Sequence, residues 1–504
     1  MFFSKIAVGV LLTAIHVHAI DLETDITKIS RSWGQVSVYA DNEEDYFGVG
    51  YVGLPDGCQI ESVSTLQRHA QRFPTSGDDD GGNDARFAQK LTNFTSGNST
   101  ASFTGPLRFL NTYNYIMQDT GLLTGIGATS EVAAGVLFWN RYGRTIYNAS
   151  QAQLAYNASY PNGTARPPVV LRTTSQSRIH NSLINWALGF FGVSWQTVPN
   201  PTLANFTNPY RVVVIPEGGT ENDTLASYDS CFNDNDDTIG YLGDDDLFTY
   251  IPKYLGPATA RLQKDAPSGF TFNVNDTYAM QSICAYEYNY IGMSDFCYLF
   301  TANEWAGFEN TLDMEYYYDY AYGNPTGRAQ GIGYLQELVA RLEHNYLTFS
   351  NSSVNYTIDD NPTDFPLYQP FYADFTHDDI IVSVLTAMSI DYFQTIGCSS
   401  ANPSPIKNHR TAYTPTQYGY NPNNATHKFV RMRLNNGIVP LNTIRGGMCG
   451  NATSGRVDGM CEMSAFLQSQ ENAYTLSNYN YACFGNYTIA NATSGMDYDG
   501  TISA

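Results

Sequence analysis

The sequence predicts an α/β fold, with a mostly parallel sheet, flanking helices and a largely helical inserted lobe. Two observations predict it. Three times a short apolar or alternating run gives way to polar residues and then to a helical pattern, and no repeat or low-complexity linker splits the chain. Ile60 to Gln67, IESVSTLQ, alternates and is rich in β-branched residues, so it reads as a strand with Arg68 to Thr75 as its exit loop. Val169 to Arg172 reads as a second strand, and from Ser175 a helical run continues through Ile179, Leu183, Ile184 and Leu188. That reading places Arg172 where strand gives way to helix. Tyr372 to Phe375 is the third strand, with Thr376-His377-Asp378 as its exit. Ile380, Ile381, Val384, Leu385 and Met388 then form the buried face of a helix. The segment GRAQGIGYLQELVARLEH carries Ile332, Leu335, Leu338, Val339 and Leu342 at helical spacing, with its charges expected on the opposite, outer face. In open α/β sheets ligands bind at the carboxyl ends of strands, near helix N-termini that favour anions, so the polar exits are the candidate site.

Composition narrows the function classes. At 43% hydrophobic and 14% aromatic residues the chain can bury a core, and its 504 residues suit one large lobed enzyme. The opening MFFSKIAVGVLLTAIHVHA reads as a signal peptide over residues 1–19. No later stretch approaches the roughly 18 apolar residues of a membrane span, so a secreted, soluble protein of the extracellular or cell-wall space is expected, with no membrane partner. With 48 acidic against 26 basic residues the net charge is −22, which argues against nucleic acid and anionic lipid as partners. The acidic knots Asp78–Asp80, Asp234–Asp237 and Asp244–Asp246 read as solvated loops, and none has the calcium-loop pattern. The eight cysteines include no CxxC pair, so four disulfides are expected, with 105 connectivities open on arithmetic alone. Fourteen N-x-[ST] sequons predict N-linked glycans.

The segment LQRHAQRFPT holds Arg68, His69 and Arg72 within five positions, followed by Pro74. Guanidinium groups grip phosphate oxygens through paired, charge-assisted hydrogen bonds, and an imidazole among them can attack phosphorus. With ADFTHDDII at Ala373–Ile381, LRTTSQSR at Leu171–Arg178 and GNPTGRAQGIGYLQELVARL at Gly323–Leu342, the chain resembles the histidine acid phosphatases, in their fungal acid phosphatase and phytase branch. The resemblance spans about Gly57 to Cys483.

That resemblance implies a fold, a set of site residues and a disulfide pairing. The histidine phosphatase fold is expected in a single domain over residues 20–504, with an α/β core about 45–75, 165–190 and 365–490 and a helical lobe about 76–160 and 191–360. By the same resemblance His69 is the nucleophile that becomes phosphohistidine. Arg68, Arg72, Arg172 and His377 hold the phosphoryl oxygens, and Asp378 protonates the leaving group. The disulfides it implies pair Cys58 with Cys398, Cys231 with Cys483, Cys284 with Cys297, and Cys449 with Cys461. No metal or organic cofactor is implied, because the arginines supply the positive charge.

Two departures stand out. Ala70 replaces the family glycine after the nucleophile, and is expected to fit because the position needs only a small side chain rather than φ > 0. Asp379 follows the HD pair and is expected to raise the pKa of Asp378 by like charge. The other mature histidines, His180, His344, His409 and His427, are expected to be structural or exposed. The substrates expected are phosphate monoesters in broad variety, phytate among them. The alternatives are a phytase specific for inositol hexakisphosphate and a non-catalytic secreted glycoprotein that binds phosphorylated ligands.

Overall fold

The computed structural model describes residues 21–503 except 44, 50–52, 54–57, 78–79, 98–100, 118–120, 193–208, 219–220, 395–427, 451–458 and 490–496. Expectations for residues 1–19, Cys398, His409 and His427 therefore lie outside the described residues.

Four parallel strands make the central sheet, β1 Val63–Arg68, β2 Val169–Thr174, β3 Tyr210–Ile215 and β4 Phe371–Thr376, in the order β1-β4-β2-β3. In β1 and β4, Arg68 pairs with Thr376, so the two strands end level with each other. β2 and β4 are buried along their whole length. Because side chains alternate along a strand, Val169, Leu171, Phe371, Ala373 and Phe375 all join one core, with Ile179, Leu183, Trp186 and Phe190 of the helix Ser177–Phe191.

The opposite face carries charge. Arg172 of β2 lies in register with Asp374 of β4, and its Nε donates to Asp374 Oδ1 at 2.8 Å while its Nη2 donates to Glu337 Oε2 at 2.5 Å. Arg341 Nη1 reaches Asp374 Oδ2 at 2.6 Å, and the hydroxyls of Tyr334 and Thr224 donate to Asp374 and Glu337. Burial alone would push the Asp374 carboxyl up, but Arg172 and Arg341 hold it well below the usual carboxylate range. A third carboxylate, Asp359, sits 3.6 Å from Arg172 Nη1. Burial and then the charge of Glu337 raise its pKa, which favours the neutral acid there and lessens the crowding of like charge.

This cluster corrects two expectations. Arg172 is the fourth residue of a six-residue strand, not its exit, and its guanidinium is spent beneath the sheet. The helix Gly327–Glu343 turns most of its charges inward, since Arg328, Glu337 and Arg341 are buried and only Glu343 at its end is exposed. An amphipathic pattern looks the same whether its polar face meets water or an ion cluster.

Two lobe boundaries also differ. The span 191–360, expected to be helical, supplies β3, and its helix Gly327–Glu343 packs Ile332 and Leu335 with Ile380 and Val384 in the α/β core. The helices Gly81–Thr95, Leu242–Leu262, Val274–Ile291 and Ala302–Tyr320 form the separate helical core around Phe87, Leu247, Ile283 and Trp305. The acidic knots also reach inward. Asp80, Asp234 and Asp246 are buried, and Asp234 accepts from Thr326 Oγ1 at 2.7 Å and from Gln330, with burial raising its pKa to about 7.

Cys231–Cys483, Cys284–Cys297 and Cys449–Cys461 are disulfide-bonded. Among the described residues no helix is long and apolar enough to cross a membrane.

Removing one partner of a buried ion cluster leaves the others uncompensated. Arg172→Ala is therefore predicted to cost about 3–5 kcal/mol in denaturant unfolding. An intact unfolding midpoint with a raised KM would instead return Arg172 to the substrate.

Candidate active site

Each of the four strands delivers polar groups at its carboxyl end. β1 ends in Arg68 and leads to His69 and Arg72; β4 leads to His377 and Asp378; β2 leads to the helix Ser177–Phe191, whose first turn carries Arg178; β3 leads to Glu217. The His69 backbone N–H donates to the Thr376 carbonyl at 3.1 Å, which continues the β1–β4 ladder past the strand ends. The rings of His69 and His377 meet edge to face with centroids 5.9 Å apart.

His69 is 2% exposed. Its Nδ1 lies 2.7 Å from the Ala70 carbonyl oxygen, which can only accept, so Nδ1 carries the proton and Nε2 the lone pair. Burial, then Arg68, Arg72, Arg178 and His377, hold its pKa well below the ordinary histidine value. The imidazole is thereby biased toward its neutral form.

Arg68 Nε lies 3.0 Å from Asp378 Oδ2, and the Tyr316 hydroxyl donates to the same oxygen at 2.7 Å. Arg72 Nη1 donates to Asp80 Oδ2 at 3.0 Å and to Tyr286 Oη at 3.2 Å. Asp80 Oδ2 also accepts from the backbone N–H and hydroxyl of Thr75, which pins the loop. Arg178 stands against the local field: a cation in a helix's first turn opposes the helix dipole, and burial and then Arg72 lower its pKa. The Nε groups of Arg72 and Arg178 are buried with no acceptor among the described residues. Such donors suit an incoming anion.

Residues 59–415 match the family model described as the histidine phosphatase superfamily (branch 2). The chain belongs to that superfamily. Phytase A of Aspergillus fumigatus is 31% identical over 367 residues, 72% of this chain and 71% of that protein. Phytase A of Aspergillus terreus is 31% identical over 375 residues, again 72% and 71% of the two chains. In fold the chain is similar to the crystal structure of the phytase from D. castellii, with a TM-score of 0.64 and 22% identity over 94% of this chain and 91% of that one.

In this histidine phosphatase five of the six residues expected at the site come together: Arg68, His69, Arg72, His377 and Asp378. Arg172 does not, and Arg178 takes its place, with Nη2 3.5 Å from His377 Nδ1. Both arginines lie in LRTTSQSR. The signal that separates them is the β-branched pair Thr173-Thr174, which carries the strand past Arg172. Glu217, Tyr228 and Tyr316 belong to no motif. Only the apolar run RVVVI before Pro216-Glu217-Gly218 marks a further strand exit.

The backbone at Ala70 has a negative φ, and its N–H donates to Ser182 Oγ at 3.1 Å, so alanine replaces glycine without conformational strain. The like charge of Asp379 is not what sets the Asp378 pKa. Burial pushes the Asp378 carboxyl up, but Arg68, Tyr316 and Arg72 outweigh it and the pKa falls. Of the two, Asp379 holds a proton more readily, since its pKa is raised to about 6 by burial, with His377 opposing and Asp378 adding. His377 caps the helix Asp378–Ala387, and both aspartates fill its first turn, where the dipole favours negative charge.

The folded pKa of Asp379 lies above its unfolded value. Its contribution to stability is therefore complete below about pH 4 and lost as the pH rises through about 6. Asp379→Asn is predicted to match the wild type in unfolding free energy near pH 3.5 and to exceed it by about 1–3 kcal/mol at pH 7. A difference independent of pH would show that Asp379 does not hold the proton.

Proposed function

We propose that this histidine phosphatase is a secreted acid phosphomonoesterase that passes a phosphoryl group first to His69 and then to water. The observation that carries the reading is His69 itself, neutral and buried among Arg68, Arg72 and Arg178 with its lone pair on Nε2. Nε2 forms the bond to phosphorus as the ester P–O bond breaks, and Asp378 gives its proton to the departing oxygen. Water then attacks the phosphohistidine, Asp378 takes the proton of that water, and the N–P bond breaks. In the free enzyme Arg68 and Tyr316 favour ionised Asp378. A phosphate dianion that shares the charge of Arg68 raises the proton affinity of Asp378, so the acid is loaded when substrate is bound. Acidic surroundings assist that loading, while His69 is biased toward its neutral form.

For substrate we favour broad specificity, phytate included. A phytate-specific rim needs cations beyond those on the scissile phosphate. Two that could serve, Arg86 and Lys90, converge on Asp276 at 2.9 and 2.5 Å, and Arg261 pairs with Glu304 at 2.6 Å. Secretion is supported by the three disulfides, which persist in oxidising compartments.

The test is phosphate release at acid pH. Wild type should hydrolyse p-nitrophenyl phosphate, and His69→Ala should lose at least about a thousandfold in kcat. The kcat/KM ratio of phytate to the aryl ester should stay below about a hundredfold, equivalent to about 2.7 kcal/mol. A larger preference would make the enzyme a dedicated phytase.

A further inference from the structure

A carboxylate beside a phosphate site repels its ligand unless its charge is already engaged. Besides Asp379, three carboxylates lie against this cluster, and each pairs with one basic side chain: Asp378 with Arg68, Asp80 with Arg72, and Glu217 with His377. Glu217 comes from the exit of β3. Its Oε1 lies 3.1 Å from His377 Nε2, while its Oε2 accepts from Gln176 Nε2 at 3.1 Å and from Tyr228 Oη at 3.2 Å. Tyr228 Oη is also 3.1 Å from His377 Nε2. Burial pushes the Glu217 carboxyl up, but the hydrogen bond and charge of His377, with Thr174 and Tyr228, bring its pKa below the ordinary value. A carboxylate only accepts, so the His377 proton on this side is Nε2–H. Tyr228, having given its own hydrogen to Glu217, offers that proton only a lone pair.

We propose that Glu217, braced by Gln176 and Tyr228, is a positioning residue for His377. It anchors Nε2–H and thereby turns Nδ1 toward Arg178, so that one phosphoryl oxygen is gripped between the two. Whenever the ring carries both protons it donates from both nitrogens, and with Nε2–H held by Glu217 the Nδ1–H is left for the substrate. Without Glu217 the ring is free to rotate, or to meet the phosphate with a lone pair. The inference rests on the proposed phosphatase activity.

The experiment measures competitive inhibition by inorganic phosphate in the full-length wild type, Glu217→Gln and Tyr228→Phe, together with 15N NMR of labelled histidine. Replacing the charge-assisted hydrogen bond by a neutral one predicts a Ki about tenfold higher in Glu217→Gln and about threefold higher in Tyr228→Phe, and a displaced, faster-exchanging His377 Nε2–H resonance in Glu217→Gln. A merely structural role would lower the melting temperature but leave Ki unchanged in the folded fraction. Ki within twofold of wild type in both variants, or an unchanged Nε2–H resonance, overturns the proposal. If Glu217→Gln does not fold, Tyr228→Phe decides alone on Ki. A wild type that inorganic phosphate does not inhibit overturns the phosphatase activity itself, and with it this inference, which a failure confined to the variants does not.

Discussion

β4 lies between β1 and β2, and its parallel register with β1 ends the two strands level, Arg68 opposite Thr376. Two segments from opposite ends of the sequence thereby begin their loops side by side, and the site depends on that alignment. The register is guarded on the neighbouring pair, where Arg172 and Arg341 clasp Asp374. A slip of one residue would turn Asp374 to the other face of the sheet, among Trp186 and Phe190. An unpaired carboxylate there, with two arginines abandoned opposite, would cost several kcal/mol. Arg172 thus serves the site without touching it.

The same economy of charge runs through the site. The chain carries a net −22, yet the loops at the sheet's carboxyl edge gather three arginines and two histidines. Arg68, Arg72 and His377 each lean on a carboxylate that fixes their direction, whereas Arg178 hydrogen-bonds to none among the described residues. Its charge is the least compensated of the set, at a helix N-terminus that itself favours an anion. Binding a phosphate relieves repulsion between Arg72 and Arg178 and weakens the hold of Arg68 on Asp378. In the proposed mechanism, substrate affinity and loading of Asp378 as the general acid are then two results of one neutralisation.

Much of this was legible in the sequence, because RHAQRFP and the HD pair pack their chemistry into a few consecutive residues at strand exits. Arg178 was harder, since two arginines share LRTTSQSR and the choice turns on a strand that ends two residues beyond Arg172. Tyr316, Asp80 and Glu217 reach the site through tertiary packing, from a lobe helix, a helix start and the edge strand β3. Nothing local distinguishes them from solvated polar residues. The run YRVVVI has strand character, but no reactive motif follows it, and a short apolar run is ambiguous between strand and buried helix. The inward charges of Glu337 and Arg341 were hidden for a related reason, as their partners lie in β2 and β4.

The central claim is that His69 Nε2 accepts the phosphoryl group. The most direct measurement is to react the enzyme briefly with radiolabelled phosphomonoester, quench in alkali and map the labelled peptide. A phosphohistidine predicts label on the peptide containing His69, stable to base, lost in acid and missing from His69→Ala. Turnover with no trapped label, or label on another residue that persists in His69→Ala, would contradict the account.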